Sequence, residues 1–457
     1  MANQKKSNGG LIALICVLAV VLVALIIVAA TMGGGSGSVT PTQTDPVITT
    51  EPTTEPTTEE TTEPTTEPPI EKIATATVGA VGDILMHDAL IQGGYDRTTD
   101  TYNYDYIFRW LGPALEQVDF AAANLEVTLG GNENRKYSGY PCFNCPDTIV
   151  DALKNANFDL LLTANNHSYD TGAHGFARTQ QVLADKGMPH IGSRPTEDAK
   201  SYYIADINGI KVGMVNYTYN TNAYQDGSVA LNGIKLSKEN TALINTFNYN
   251  KLDAFYAQLT QQLEDMKADG AEATVIYIHW GDEYQIKENG HQNKIAQGLC
   301  DLGVDVIVGT HAHVPQPVEL QTSKNDENQK TLCLYSTGNS VSNIYQTSKF
   351  PVNTEDGIFF TFTFAKYSDG TVLVESARVI PTWVHRSYEV NKWKHVVMVM
   401  DDTVEDWKTA MELDDTVLTY CQNSYNRTMK IVSEGLDQAN EYYKANQEKV
   451  EAELGVQ

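Results

Sequence analysis

From about residue 73 onward, short apolar runs alternate with segments whose apolar residues recur at helical spacing. IATATVGAVGD, VDFAAANLE, FDLLLTANN, KVGMVNYTY, ATVIYIHWG and VDVIVGTHAH read as strands, and TLCLYSTGN, GIFFTFTFAKY and TVLVESARVIP come after them. Between them, YIFRWLGPALEQV, residues 146–156, HGFARTQQVLADKG, LDAFYAQLTQQLEDMKADG and a stretch through Ile295 and Leu299 carry the helical period. Gly187 and Gly270 stand where helices stop. Strands alternating with helices predict an α/β fold. The Asp369-Gly370 pair between two alternating runs predicts a hairpin, with the last three strands antiparallel. From about residue 400 the pattern is helical, and residues 427–453 are rich in Glu, Lys, Ala and Tyr.

The first 72 residues are different. LIALICVLAVVLVALIIVAAT, residues 11–31, holds no charge and is as long as the ~20 residues a membrane-crossing helix needs. Lys5 and Lys6 precede it, which favours a cytoplasmic N-terminus and a body outside the cell. The run exceeds the ~7–15 apolar residues of a cleaved signal peptide, so an uncleaved single-pass anchor over residues 11–32 is expected, with the protein at the cell membrane. GGGSGS and TEPTTEPTTEETTEPTTEPP then give a stalk over residues 33–72. It has no apolar period with which to fold, and its prolines and repelling carboxylates keep it extended. The expected division is a cytoplasmic 1–10, the anchor, the stalk, a folded body over 73–385 and a helical C-terminal extension over 386–457.

The formal net charge is −26, from 32 Lys and Arg against 58 Asp and Glu. A nucleic-acid partner needs a basic face, so none is expected. Part of the excess is concentrated in the stalk, from Asp45 and Glu51 to Glu71. Six cysteines at this length do not make a disulfide scaffold. Cys142 and Cys145 form a single C-x-x-C without the second pair a structural zinc site needs, and read as unlinked loop cysteines.

The informative residues stand at the end of each apolar strand. VGAVGD ends at Asp83 with His87 just beyond, and AAANLE ends at Asn124 and Glu126. LLLTANNH ends at Asn165, Asn166 and His167, with Asp170 close behind. VIYIH ends at His279, ahead of Glu283; VIVGTHAH ends at His311 and His313, and LYSTGN at Asn339. In open α/β sheets ligands bind outside the carboxyl ends of strands. Six ends carrying carboxylate, amide and imidazole groups would therefore face one cleft. Such mixed ligands suit Mn, Fe or Zn rather than Ca. On an extended segment, H-x-H would put the His311 and His313 rings on one side of the chain. Two divalent ions ~3.5–4 Å apart clamp a phosphoryl-type group and activate water. An imidazole outside their coordination can protonate a leaving group, and His167 is the candidate. Asp170 either orients His167 or opens the next helix; Glu283 either meets substrate or is a solvated charge; Asn339 either joins the site or makes a turn. Trp280 reads as a packing residue.

Taken together, GDILMH, NLE, TANNHSYDTG, HWGDEY, VGTHAHVPQP and STGN resemble the CapA family of poly-γ-glutamate capsule synthesis proteins, within the calcineurin-like metallophosphoesterase fold group. The resemblance covers roughly residues 75–345. It implies a four-layer α/β/β/α sandwich with a metal centre that takes Asp83, His87, Glu126, Asn166, His279, His311 and His313 as ligands. His167 and Asp170 would be catalytic, and Asn124, Asn165, Glu283 and Asn339 would line the substrate side. The wider fold group has D-x-H on its first strand, whereas here three residues separate Asp83 from His87. Glu126 stands where a bridging Asp would be.

The resemblance implies a membrane-anchored extracellular protein of polyglutamate capsule or related envelope-polymer synthesis and export, with a metal-dependent hydrolase-type site. Its partners would be the anionic polymer or a precursor, and membrane-bound polymer synthetase components. Two other readings stand beside it: a metal-dependent phosphoesterase of an exported substrate, and a non-catalytic polymer-binding scaffold on the same fold.

Overall fold

A computed structural model describes residues 70–133, 135–401 and 403–453. The predicted cytoplasmic segment and anchor, and residues 33–69 of the predicted stalk, lie outside the described residues. No helix among the described residues is long and apolar enough to cross a membrane.

The chain begins with β1 (Lys72–Ile84), and β2 (Phe120–Leu125), β3 (Leu160–Leu162) and β4 (His190–Ile191) add to it in parallel. It then builds a second sheet from β5 (Tyr203–Ile207), β6 (Ile210–Tyr219), β7 (Thr246–Phe247), β8 (Ala273–His279), β9 (Val306–Thr310), β10 (Val318–Thr322) and β11 (Lys330–Leu334). It returns to the first sheet with β12 (Asn339–Val341) and finishes it with β13 (Asp356–Tyr367), β14 (Val372–Glu389) and β15 (Lys392–Val399). The first sheet runs β15-β14-β13-β1-β2-β3-β4 with β12 beside β1; the second runs β7-β6-β8-β9-β11-β10 with β5 beside β6.

The predicted hairpin at Asp369-Gly370 joins β13 to β14 antiparallel. TLCLYSTGN does not continue that antiparallel run. Its apolar part is β11, parallel to β9 in the other sheet, and its end becomes β12, parallel to β1. The chain changes sheets within this segment, and short strands give no periodicity that distinguishes the two partners.

Alternate residues of each strand go to opposite faces. Val78 and Ala80 of β1, Met214 of β6, Tyr277 of β8 and Val308 of β9 share one core between the sheets. Val81, Ala121 and Leu161 face the other way, against Ile149 and Leu153 of α1 (Thr148–Asn155) and Leu183 of α2 (Gly172–Asp185). On the second sheet, Val215, Ile276 and Ile307 face Phe255 and Leu259 of α3 (Leu252–Ala268) and Ile295 and Leu299 of α4 (Gly290–Asp301). Both faces of both sheets are thus covered, so the central strands read as continuous apolar runs rather than alternating ones.

The helical extension expected over 386–457 begins instead as strand, the end of β14 and β15, which pair at the edge of the first sheet; its helical part includes the 39-residue α5 (Asp415–Glu453). This helix inserts Val432, Leu436, Ala439 and Tyr443 into the core between the sheets. Arg427 and Ser424 of α5 also satisfy the fully buried Asp356 of β13, with Arg427 Nε 2.9 Å and Ser424 Oγ 2.6 Å from its carboxylate.

Candidate metal centre

β1 and β2 are parallel, as are β8 and β9, and their carboxyl ends meet: Asp83 Oδ2, at the end of β1, accepts the His311 N–H, just past β9, at 3.2 Å. The apolar runs end there and polarity begins. β12 arrives alongside β1, pairing Asp83 with Asn339. This approach needs Gly82, where a Cβ would lie 1.8 Å from the Gly338 carbonyl oxygen.

Asp83, Glu126, His279 and Asn339 are fully buried at this mouth, and Asn166, His167, His311 and His313 are at most 5% exposed. Their atoms converge. His279 Nε2 lies 2.7 Å from Asn166 Oδ1, 3.0 Å from His311 Nδ1 and 3.4 Å from Glu126 Oε1. His313 Nδ1 lies 3.0 Å from Asp83 Oδ2 and 3.1 Å from Asn339 Oδ1. Two donor groups result, Glu126–His279–His311 and Asp83–Glu126–His313, each with its ligand atoms within 4.8 Å of one another. Glu126 belongs to both.

Electrostatics favour a cation here. Glu126 Oε1 is buried and has no hydrogen-bond partner, an expensive arrangement unless something positive takes it up. Burial, reinforced by the neighbouring Asp83, lifts the Glu126 carboxyl well above the usual range. Burial, with His313 and His167 nearby, drives His279 well below the ordinary imidazole value. Burial, then His279 and His313, does the same to His311. Both rings are thereby kept neutral, the form that binds metal. Burial opposes protonation of His313 too, but its hydrogen bond to Asp83 and that charge carry it above the ordinary value. A divalent ion would resolve the crowding of Asp83 and Glu126 and occupy the orphaned oxygen. The residues therefore fit a divalent metal.

His311 and His313 reach the cluster by a route the H-x-H pattern did not give. The segment is not extended: φ is +90° at His311 and +56° at His313. The turn is held by Asp83, whose Oδ2 accepts the His311 backbone N–H at 3.2 Å. The two rings converge on the acidic pair because the backbone bends, not because side chains alternate.

His167 stands beside this cluster without entering either donor group. Its Nδ1 is 2.7 Å from Asp170 Oδ2, and Asp170 leaves the start of α2 to the Thr171 position. Of the two readings of Asp170, the orienting one describes the geometry. Phe143 packs edge-on against the His167 ring at 4.7 Å. His87, just beyond the end of β1, is half-buried and absent from both donor groups. Burial lowers it to about 4, against a contact with the Leu85 carbonyl oxygen.

Asn124 and Asn165 commit their amides inside the wall. Asn124 Nδ2 donates to Asp83 Oδ1 at 2.7 Å, and Asn165 Nδ2 donates to the Leu125 carbonyl at 2.9 Å. Asn339 braces His313 from ring and backbone, its Nδ2 donating to the His313 carbonyl at 3.2 Å. Glu283 is exposed and lines an open cleft with His311, Tyr219 and Tyr249. Trp280 is fully buried and donates to the Tyr335 carbonyl at 2.9 Å. Cys142 and Cys145 are free thiols.

Three contributors escaped the sequence reading. Thr310 Oγ1 sits 2.9 Å from His279 Nδ1 and fixes that ring. Tyr219 packs over His311 at 4.9 Å; it ends KVGMVNYTY, a strand whose terminus offered the same signal as the others. Asn232 accepts from Asn166 Nδ2 at 3.1 Å. It stands in an Asn-Gly turn, which carries no mark of a site.

Residues 77–344 match the family described as "Bacterial capsule synthesis protein PGA_cap". The chain is 28% identical to "Capsule biosynthesis protein CapA" of Bacillus anthracis over 58% of this chain and 59% of that protein. It is 28% identical to "PGA biosynthesis protein CapA" of Bacillus subtilis over 57% of this chain and 62% of that protein. It is 23% identical to a "Probable polyglutamine synthesis accessory protein" of Mycobacterium tuberculosis, over 50% of this chain and 62% of that one. The chain therefore spans 59% and 62% of the length of the two Bacillus relatives. All of the residues gathered at the centre fall inside the matched span.

Proposed function

This chain belongs to the bacterial capsule synthesis family PGA_cap, and on that premise we propose that it serves the synthesis or export of an anionic envelope polymer of the polyglutamate kind through a metal-dependent hydrolytic site. The observation that carries the reading is Glu126, shared by two buried donor groups and left with an unpaired oxygen. Asp83, Glu126 and His313 would hold one ion, and Glu126, His279 and His311 a second, with Asn166 Oδ1 beside His279. Divalent ions such as Mn, Fe or Zn supply Lewis acidity and lower the pKa of bound water.

The chain's own residues provide the rest. Asp170 accepts a hydrogen bond from His167 Nδ1 and so leaves Nε2 as the atom that exchanges a proton with a leaving group. Phe143 fixes the ring's plane. Thr310 Oγ1 holds His279 at Nδ1, which leaves Nε2, with Asn166 Oδ1 beside it, facing the ion. The fold is read as the α/β/β/α sandwich of the metallophosphoesterase group. The uncharged run at residues 11–31 behind Lys5 and Lys6 supports a single-pass anchor with the body outside the cell, where polymer and membrane-bound synthetase components would meet it.

The test is metal content and turnover of the full-length chain. A γ-linked glutamate oligomer and a generic phosphate ester are offered with Mn, Fe or Zn. Metal-dependent cleavage of the oligomer, lost with bound metal in His279→Ala and His311→Ala, is expected. Cleavage of the ester alone would replace this reading with a phosphoesterase. Parental metal content in both variants would sink the metal centre.

A further inference from the structure

Behind His87, away from the donor groups, lies a cavity of about 470 Å³ between the β12–β13 connection, β14, β15 and α5. The chain that leaves β12 joins its wall to the metal centre. Asn339 braces His313; four residues on, Asn343 offers its N–H to His87 Nδ1 at 3.3 Å and its Oδ1 to His395 Nε2 at 2.8 Å. Four residues of near-extended chain span roughly 13 Å.

The cavity holds an unusual cation for so acidic a chain. Arg386 forms no ion pair among the described residues; its guanidinium instead stacks 3.4 Å from the Tyr345 ring centre and 4.6 Å from that of Trp393. A guanidinium held flat by aromatic faces keeps its N–H fork free for an oxyanion. The other arginine in the wall, Arg427, is committed to buried Asp356. The one carboxylate lining the cavity, Glu355, already accepts from the Gln346 backbone N–H at 2.9 Å and Trp383 Nε1 at 3.2 Å. Trp383 and Tyr420 stack at 5.7 Å and offer apolar surface beside the cation. A single small anion would leave most of this volume empty. A chain carrying carboxylates on short aliphatic arms would occupy more of it, with methylenes on the rings and oxygens on the fork.

We propose that this cavity is a second subsite, in which Arg386 binds a carboxylate of an anionic chain, another unit of which lies at the metal centre. The proposal rests on the anionic-polymer reading above and adds where the polymer is gripped. Binding to the full-length chain in detergent is measured by calorimetry with a γ-linked glutamate oligomer and, as an amide-free carboxylate chain, an oligogalacturonate. Arg386→Gln should weaken oligomer binding at least tenfold, with metal content and melting temperature unchanged. Arg386→Lys should recover part of the loss. Asn423→Asp, which places a negative charge on the same wall, should weaken binding while leaving Arg386 in place. Equal affinity of the parent and Arg386→Gln for the glutamate oligomer would overturn the subsite and leave the polymer reading intact. Arg386-dependent binding of the galacturonate alone would uphold the subsite and remove polyglutamate as the polymer. A parent that binds neither chain would overturn the subsite, with the metal-content result still standing.

Discussion

Asp170 Oδ2 lies 2.7 Å from His167 Nδ1 and accepts the Phe143 backbone N–H at 2.7 Å as well. One oxygen thus fixes both the ring and the residue packed against it. Asp170→Asn would turn an amide toward His167 and favour the other tautomer. Turnover should fall about 10–100-fold, the usual cost of losing an orienting partner. Metal content should not change, since neither residue belongs to a donor group. Parental turnover in Asp170→Asn, measured beside metal content, would remove His167 from the proton-transfer role.

Glu126 allows a second separation of effects. Burial and Asp83 favour its protonated form when no metal is present, and Gln has nearly the same shape and charge. Glu126→Gln should therefore unfold at nearly the parental temperature in chelator. With a divalent ion at 100 times its Kd the parent should gain about 2.7 kcal/mol. The variant should lose most of that gain, because both donor groups lose their shared carboxylate. An equal metal-dependent shift in both proteins, read by thermal unfolding, would show that the ion binds elsewhere.

The site was legible in the sequence where burial made it so. Both faces of each sheet are covered, so strands are apolar throughout and Asp83, Glu126, Asn166 and His279 appear where the apolar run stops. What the pattern does not contain is direction. Adjacent Asn165 and Asn166 go separate ways, one into the wall toward Leu125 and one toward His279. The bend that turns His311 and His313 inward depends on Asp83, 228 residues earlier. The same limit applies to α5. Its helical period was visible, but pairing Arg427 with Asp356 is a long-range event that no local window records.

Asp305 gives a pH test away from the centre. Its carboxylate accepts the Thr274 N–H at 2.8 Å and hydroxyl at 2.9 Å. Burial, opposed by those bonds, raises its pKa from 3.8 to about 6. The folded state thus holds a proton that the unfolded chain has released. Stability present below pH 3.8 is lost as pH climbs to about 6. The full shift would be worth about 3 kcal/mol; the residue keeps some contact with water, which reduces this to about 1 kcal/mol. Asp305→Asn keeps an oxygen acceptor and does not titrate. Relative to the parent it should gain about 1 kcal/mol between pH 4 and pH 7 in denaturant unfolding. Parallel pH profiles for the two proteins would exclude the buried proton.

Gly435 sets two effects of known sign against each other. It lies within α5, where alanine normally stabilises a helix over glycine by about 1 kcal/mol. A Cβ there would meet the Val318 carbonyl oxygen at 1.8 Å and its carbon at 2.7 Å. Those are backbone atoms of β10, so no rotamer change relieves the contact. The helix or the strand must move, and the packing of Val432, Leu436 and Ala439 in the inter-sheet core moves with it. Overpacking of this kind costs about 1–3 kcal/mol, and the clash should outweigh the propensity gain. Gly435→Ala is therefore expected to lower stability by about 1–2 kcal/mol. If the melting temperature rises instead, propensity has won, and α5 does not lie against β10 as closely as Gly435 permits.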